Sequence, residues 1–289
     1  MLPAWAASFV VTRFSEVPLR KFTMAITLAG AALAAGVATD GYAGDDVKIL
    51  VLKEHATGST ASAQPYIDKL VEVARQKNGW SSASGKFVTS RSRAKRYIRA
   101  NKPQFGIMSL PAFLHWRDKG LTVIGTVDAA ATGGRQYHLV SKTERGLSGC
   151  KGKKLASNHA DDKRFINKIV ASGAFNLSDF TLVETRRPVQ TLKKVIRGDA
   201  ACALIDDAQM AALNHVDGGS ALESVWKSAT LPAMPVVAFS SASSGQREKF
   251  KASLSSLCSG AGSTHCTKVG IKSLKPATDA AYENVTVKY

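Results

Sequence analysis

Three times in this chain a short apolar run ends in small hydroxylated or acidic residues. Ser109 follows Phe-Gly-Ile-Met (105–108), Ser157-Asn158-His159 closes a run that starts at Lys153, and Asp206-Asp207 follows Ala-Ala-Cys-Ala-Leu-Ile (200–205). A fourth run, 47–52, leads through a polar loop to Ser59 and Thr60, where a helical pattern begins. Hydroxyls and free backbone N–H groups at such places hydrogen-bond anions, and a carboxylate there orients an amine, a hydroxyl or a protonated oxygen. That is the chemistry of capture rather than of bond breaking. No Gly-x-Ser-x-Gly elbow exposes a nucleophile and no Gly-x-x-x-x-Gly-Lys-Ser/Thr loop occurs, so an enzyme is not expected. Glu54-His55 and His159/Asp161 lack the ligand spacing of strong metal motifs, so neither a metal nor a cofactor is expected.

The candidate binding residues are Ser59, Thr60, Ser109, Tyr137, Ser157, Asn158, His159 and Asp206, with His55 flanking. Each has a plain structural alternative. Ser59 and Thr60 serve equally as caps of the helix they precede, as do Ser157 or Asn158 and Asp206 for theirs. His159 and His55 could be solvated turn residues, and Tyr137 a core aromatic. Ser109 stands at a strand end, and ligand contact is the favoured role.

The elements that position these residues repeat. A basic amphipathic helix (93–101), strand 105–108, a Ser-Leu-Pro turn and a helix form one unit, with Pro111 suited to a first helical turn. About 100 residues later, helix 191–197 with a Gly198 stop, strand 200–205, the Asp-Asp turn and helix 208–214 form its echo. Around these units lie strands near 47–52, 86–89, 121–127, 135–141, 153–157, 180–184 and 222–227, and an extended run 231–239. Helices near 65–75, 164–174 and 246–258 carry apolar faces at helical spacing. The order predicts two α/β lobes: residues 44–134 with 233–289 as the first, 135–232 inserted as the second. Connectors at 133–137 and 229–235 would act as hinges around a cleft.

The 289 residues carry a formal charge of +17. Residues 1–43 hold Arg13, Arg20 and Lys21 against Glu16 and Asp40, so +16 belongs to the remainder. Such a balance favours anionic partners, although a solvated basic surface has the same composition. Residues 1–43 read as an export signal: a basic flank at Arg20-Lys21, an apolar stretch 24–37 and small residues before a cleavage point after Ala43. An uncleaved signal would leave the protein tethered. Export agrees with four cysteines, of which Cys258 and Cys266 bracket a short, flexible Gly/Ser loop and are expected to pair. Cys150 and Cys202 either pair or stay as buried thiols. Nucleic acid is not an expected partner, because only charge argues for it.

From residue 47 to 251 the order of elements resembles type II periplasmic substrate-binding proteins, and most closely the phosphate/phosphite/phosphonate-binding branch that serves ABC transporters. Three runs carry the likeness. Phe105-Gly-Ile-Met-Ser-Leu-Pro-Ala-Phe-Leu114 is similar to the branch's aromatic-glycine-turn-Pro run. Gly152-Lys-Lys-Leu-Ala-Ser157 resembles its first strand of the second lobe. Gly198-Asp-Ala-Ala-Cys-Ala-Leu-Ile-Asp-Asp-Ala208 is similar to its Gly-x-x-Asp/Ala-x-Ala-x-x-Asp-Asp run. The resemblance implies a two-lobe α/β fold, each lobe a mixed sheet flanked by helices, with a cleft between. It implies a periplasmic monomer that captures a small anionic solute and presents it to a membrane permease, or else a sensor or partner-binding protein on the same fold. It places Tyr137 where the branch has a cleft aromatic. One departure stands out: the branch's Ser-Thr-Ser-Gly-aromatic turn is replaced by Ser157-Asn158-His159-Ala160-Asp161.

Overall fold

The computed structural model describes residues 45–55, 60–129 and 133–289, all within one compact unit. The expected export signal and Ser59 lie outside them. In chain order the first elements are β1 (Asp46–Leu52), α1 (Thr60–Asn78), β2 (Ser82–Val88), α2 (Arg91–Asn101), β3 (Phe105–Met108), α3 (Leu110–Trp116) and β4 (Thr122–Ala129). Next come β5 (Tyr137–Ser141), α4 (Gly146–Cys150), β6 (Lys154–Ser157), α5 (Lys163–Phe165), β7 (Thr181–Glu184), α6 (Pro188–Ile196), β8 (Cys202–Asp206), α7 (Asp207–Ala211) and β9 (Glu223–Lys227). The chain ends with β10 (Pro235–Ala238), α8 (Ser244–Leu257), α9 (Ser263–Lys268), β11 (Ile271–Pro276) and α10 (Glu283–Thr286).

Two mixed sheets result. The first runs β11-β4-β10-β3-β1-β2, and the second β7-β6-β8-β5-β9. In the first, β1 lies parallel to β2 and β3, while β10 runs antiparallel to β3 and β4. In the second, β6 is parallel to β7 and β8, and β5 is antiparallel to β8 and β9. The central strands are apolar on both faces because helices cover both. Val47, Ile49 and Val51 of β1 enter one core cluster and Leu50 and Leu52 the other. In β8, Cys202 and Leu204 face one cluster and Ala203 and Ile205 the opposite one. Gly125 in β4 has no room for a side chain: a Cβ would stand 2.3 Å from Leu254 Cδ1 and 2.8 Å from the Lys275 carbonyl oxygen.

The chain crosses between the sheets twice, from β4 to β5 and from β9 to β10, and the crossings are tied together. Leu231 N donates to Arg135 O at 2.7 Å, Arg135 Nε to Leu231 O at 3.2 Å, and Ser228 N to Tyr137 O at 2.8 Å.

Several elements differ from the sequence expectation. Helix α1 starts at Thr60 rather than 65 and carries Pro65 inside it. Its first turns are held by Gln64, which accepts from Phe87 N and donates to Gly85 O on β2. The helix expected over 164–174 is shorter. α5 runs into a π-helical turn, Ile166–Val170, and left-handed residues Ser172 (φ 45°) and Gly173 (φ 92°) end it. The loop between Cys258 and Cys266 is not flexible coil: a 3-10 turn, Gly260–Gly262, leads into α9. Both cysteine pairs are disulfides, Cys258–Cys266 and Cys150–Cys202. Among the described residues no helix is long and apolar enough to cross a membrane.

Candidate functional site

The carboxyl ends of β1 and β3 in one sheet and of β6 and β8 in the other converge on one cluster of charged side chains. Residues 53–55 continue β1. Glu54, with a side chain only 6% exposed, accepts the Ser109 hydroxyl at 2.7 Å and both Nε and Nη2 of Arg91, at 2.8 and 3.0 Å. Ser109 holds the N-cap position of α3, yet its hydroxyl makes no cap bond because Glu54 takes it. Arg91 Nη1 reaches the other lobe and bonds Asp162 Oδ2 at 2.7 Å. Alongside, His55 Nε2 lies 3.4 Å from Asp161 Oδ1, and its ring meets the His159 ring edge-on at 4.6 Å between centroids.

The second lobe's turn after β6 is built inward. Ser157 Oγ donates to Leu204 O at 2.9 Å and accepts from His159 N at 3.0 Å, so its hydroxyl pins the turn to β8. Asn158 is buried, and its Oδ1 accepts from Thr191 at 3.0 Å. His159 is buried as well, not an exposed turn residue. Its Nε2 lies 2.9 Å from Gln209 Oε1, while Gln209 Nε2 donates to Pro188 O at 3.3 Å. Gln209 therefore turns its oxygen to His159 Nε2, where the Asn158 Nδ2 amide also lies 3.3 Å away. Asp206 caps α7: its Oδ1 accepts from Gln209 N at 2.9 Å, while Oδ2 stands 3.9 Å from His159 Nε2. Tyr137 on β5 is buried, with its ring 5.2 Å from that of His159. Thr60 is the first residue of α1.

Burial and neighbours set the charges. His159 is lowered to about 3 by burial, with His55 beside it adding to the effect. Burial also pulls His55 down, but Asp161, Glu54 and Asp206 outweigh it and the pKa is raised. Burial raises Asp206 in spite of its cap bonds, and lowers Lys53 in spite of the nearby Asp206 charge. Burial pushes the Tyr137 phenol well up, so it remains a neutral O–H. Lys53 and Arg135 line a pocket of about 30 Å³ beside the crossing strands, together with Val51, Met234 and Gly270. A separate groove of about 680 Å³ opens at the far end of the second sheet, among exposed Lys142, Lys153, Lys154 and Arg197. It holds none of the converging strand-end residues. The buried charges lie between the lobes, so the interlobe cluster is the candidate site.

Ser109, Tyr137, Ser157, Asn158, His159 and Asp206 are thus gathered at or beside one seam. Sequence reasoning missed Arg91, Gln209 and Asp162 as members. Gln209 closes an Asp206-x-x-Gln209 capping box, a local signal that could have marked it, whereas Arg91 and Asp162 meet only across 71 residues.

Comparison with known proteins bears on the family and the fold. The model of a family described as the periplasmic, phosphonate substrate-binding protein of ABC transporters matches residues 83–282. No curated protein matches in sequence. Among solved structures, the chain is similar to a binding component of an ABC phosphonate transporter from Pseudomonas aeruginosa, at 14% identity and TM-score 0.61, covering 82% of this chain and 83% of that one. A Prochlorococcus marinus protein in complex with methylphosphonate has TM-score 0.63 at 12% identity, with coverage of 83% and 95%. A Xanthomonas citri protein bound to chloride has TM-score 0.62 at 12% identity, with coverage of 81% and 93%. At such identities the structural likeness speaks to the fold.

Proposed function

We propose that this chain, which belongs to the family of periplasmic phosphonate-binding proteins of ABC transporters, holds a small phosphorus oxyanion that still carries a proton or an ammonium group. The carrying observation is the mixture of groups at the seam. Lys53 brings an amine whose pKa is lowered by burial, and the Tyr137 phenol is a neutral donor. Beside them are acceptors: the Asp206 carboxylate and the Ser109 oxygen, whose proton goes to Glu54. An oxyanion with no proton, such as a sulfonate, would set bare oxygens against these acceptors, and an unpaired buried acceptor is costly. A monoprotonated phosphonate, or an aminoalkylphosphonate, offers the missing donor. The Arg91 guanidinium is already directed to Glu54 and Asp162.

The test is thermal unfolding of residues 44–289 with methylphosphonate, an aminoalkylphosphonate, phosphate, sulfate and methanesulfonate. A ligand at 100 times its Kd adds about 2.7 kcal/mol, a shift of several degrees at this size. The expected result is a shift with phosphonates and none with sulfate or methanesulfonate, and Asp206→Asn should admit the latter. Equal shifts with methanesulfonate would overturn the proton requirement. No shift with any compound would overturn the ligand class.

A further inference from the structure

Arg91 opens α2, beside the first sheet, and one guanidinium joins two carboxylates from different sheets. Glu54 follows β1 and takes two of its N–H groups. Asp162 follows β6 and takes a third. Both carboxylates are fixed from behind. The Ser109 hydroxyl holds Glu54. Asp162 caps α5 by accepting from Phe165 N through Oδ1 at 3.0 Å, leaving Oδ2 for Arg91. The side chains are 6% (Glu54), 11% (Asp162) and 23% (Arg91) exposed. A second contact runs parallel, from His55 to Asp161.

We infer that Arg91 is the positioning residue of the binding site: it clamps the β1 and β6 ends together and so sets the closed geometry of the seam. Without it the seam would bring Glu54, Asp161, Asp162 and Asp206 together with no arginine between them, and like charges would part the walls. Only a planar fork spans both carboxylates, so lysine cannot replace it fully. The effect on ligand retention rests on placing the ligand between the lobes; the clamp itself does not.

The experiment measures the distance between spin labels on exposed helical positions, Lys77→Cys in α1 and Lys168→Cys after α5, by pulsed electron resonance with no ligand added. The four native cysteines are disulfide-bonded and leave the labels selective. Expected is a narrow distribution with Arg91, and one longer by several ångströms or much broader in Arg91→Ala and in Asp162→Asn. The double variant should be no longer than Arg91→Ala, Arg91→Lys should fall between, and Arg93→Ala should match the parent. An Arg91→Ala distribution superimposed on the parent's would overturn the clamp. If Arg91→Ala fails to fold, Asp162→Asn decides, because asparagine keeps the cap to Phe165 N, and an unchanged distance there overturns the proposal. In a second arm, Arg91→Ala should release methylphosphonate about tenfold faster in stopped-flow fluorescence with association unchanged, and an unchanged release rate beside a changed distance would overturn the placement of the ligand between the lobes. Failure of methylphosphonate to bind the parent chain would count against the ligand class, while the distance arm still decides the clamp.

Discussion

His159 is buried in the turn after β6, and its titration is the most exposed to test. Its pKa in the fold is lowered to about 3 by burial, against a usual 6.5. Between those values the unfolded chain holds a proton that the folded chain does not, so this contribution is present above 6.5 and is lost as pH falls toward 3. His55 acts in the opposite sense. Raised by Asp161, Glu54 and Asp206 against its burial, it stabilises fully below 6.5 and loses that contribution as pH climbs through its raised value. His159→Gln should therefore flatten the acid limb of stability between pH 6.5 and about 3 by a few kcal/mol, read from urea midpoints across that range. An acid limb of unchanged slope would mean that the ring is protonated in the fold. Ser157 makes a simpler prediction. Its hydroxyl serves the Leu204 carbonyl and the His159 N–H, both buried, so Ser157→Ala should cost about 1–3 kcal/mol in denaturant unfolding. A cost near zero would show that water replaces the hydroxyl.

At the scale of elements, the two disulfides staple different things. Cys150 ends α4 and Cys202 begins β8, 52 residues apart, whereas Cys258–Cys266 closes 8 residues between α8 and α9. In the chain-entropy account the first adds about 4 kcal/mol and the second about 2.5 kcal/mol. Replacing Cys150 and Cys202 by alanine should thus lower the denaturation midpoint more than replacing Cys258 and Cys266. The reverse order would mean that the fold around β8 retains its structure in the unfolded reference. Legibility also divides by element. Strands β1, β3 and β8 are apolar on both faces and bounded by turns, so 47–52, 105–108 and 200–205 could be read directly. Strand β11 could not: only Ile271 and Leu274 face the core among lysines and serine, which leaves no strict alternation. The π-helical turn at Ile166–Val170 hid the early end of its helix, because its apolar residues keep helical spacing. The strand-end site residues were legible because position at a strand end is a local property. Arg91 and Asp162 were not, because they meet across 71 residues, and Gln209's capping box with Asp206 is local but its contact with His159 spans 50.

For the molecule as a whole, the question is whether two lobes mean two folding units. One core cluster contains Leu50, Leu52 and Phe113 from the first lobe and Leu139, Leu155, Phe165 and Leu204 from the second. The end of the chain adds to it. Tyr282 and Val285 are buried in the same cluster, the Tyr282 hydroxyl donates to Thr126 on β4 at 3.1 Å, and Arg164 beyond β6 stands 4.4 Å above the Tyr289 ring. Two further clusters are local, one to each sheet. A cluster that runs through both lobes removes apolar surface from water only while both are folded, so unfolding either exposes part of the other. Calorimetry of residues 44–289 should therefore show a single transition whose van't Hoff and calorimetric enthalpies agree, at roughly 170 kcal/mol near 60 °C. Tyr282→Ala should cost about 3 kcal/mol, because it opens a gap in the shared cluster beside Phe113. Two resolved transitions in the unaltered chain would mean that each lobe is stable on its own local cluster and that the shared one forms only when the lobes close.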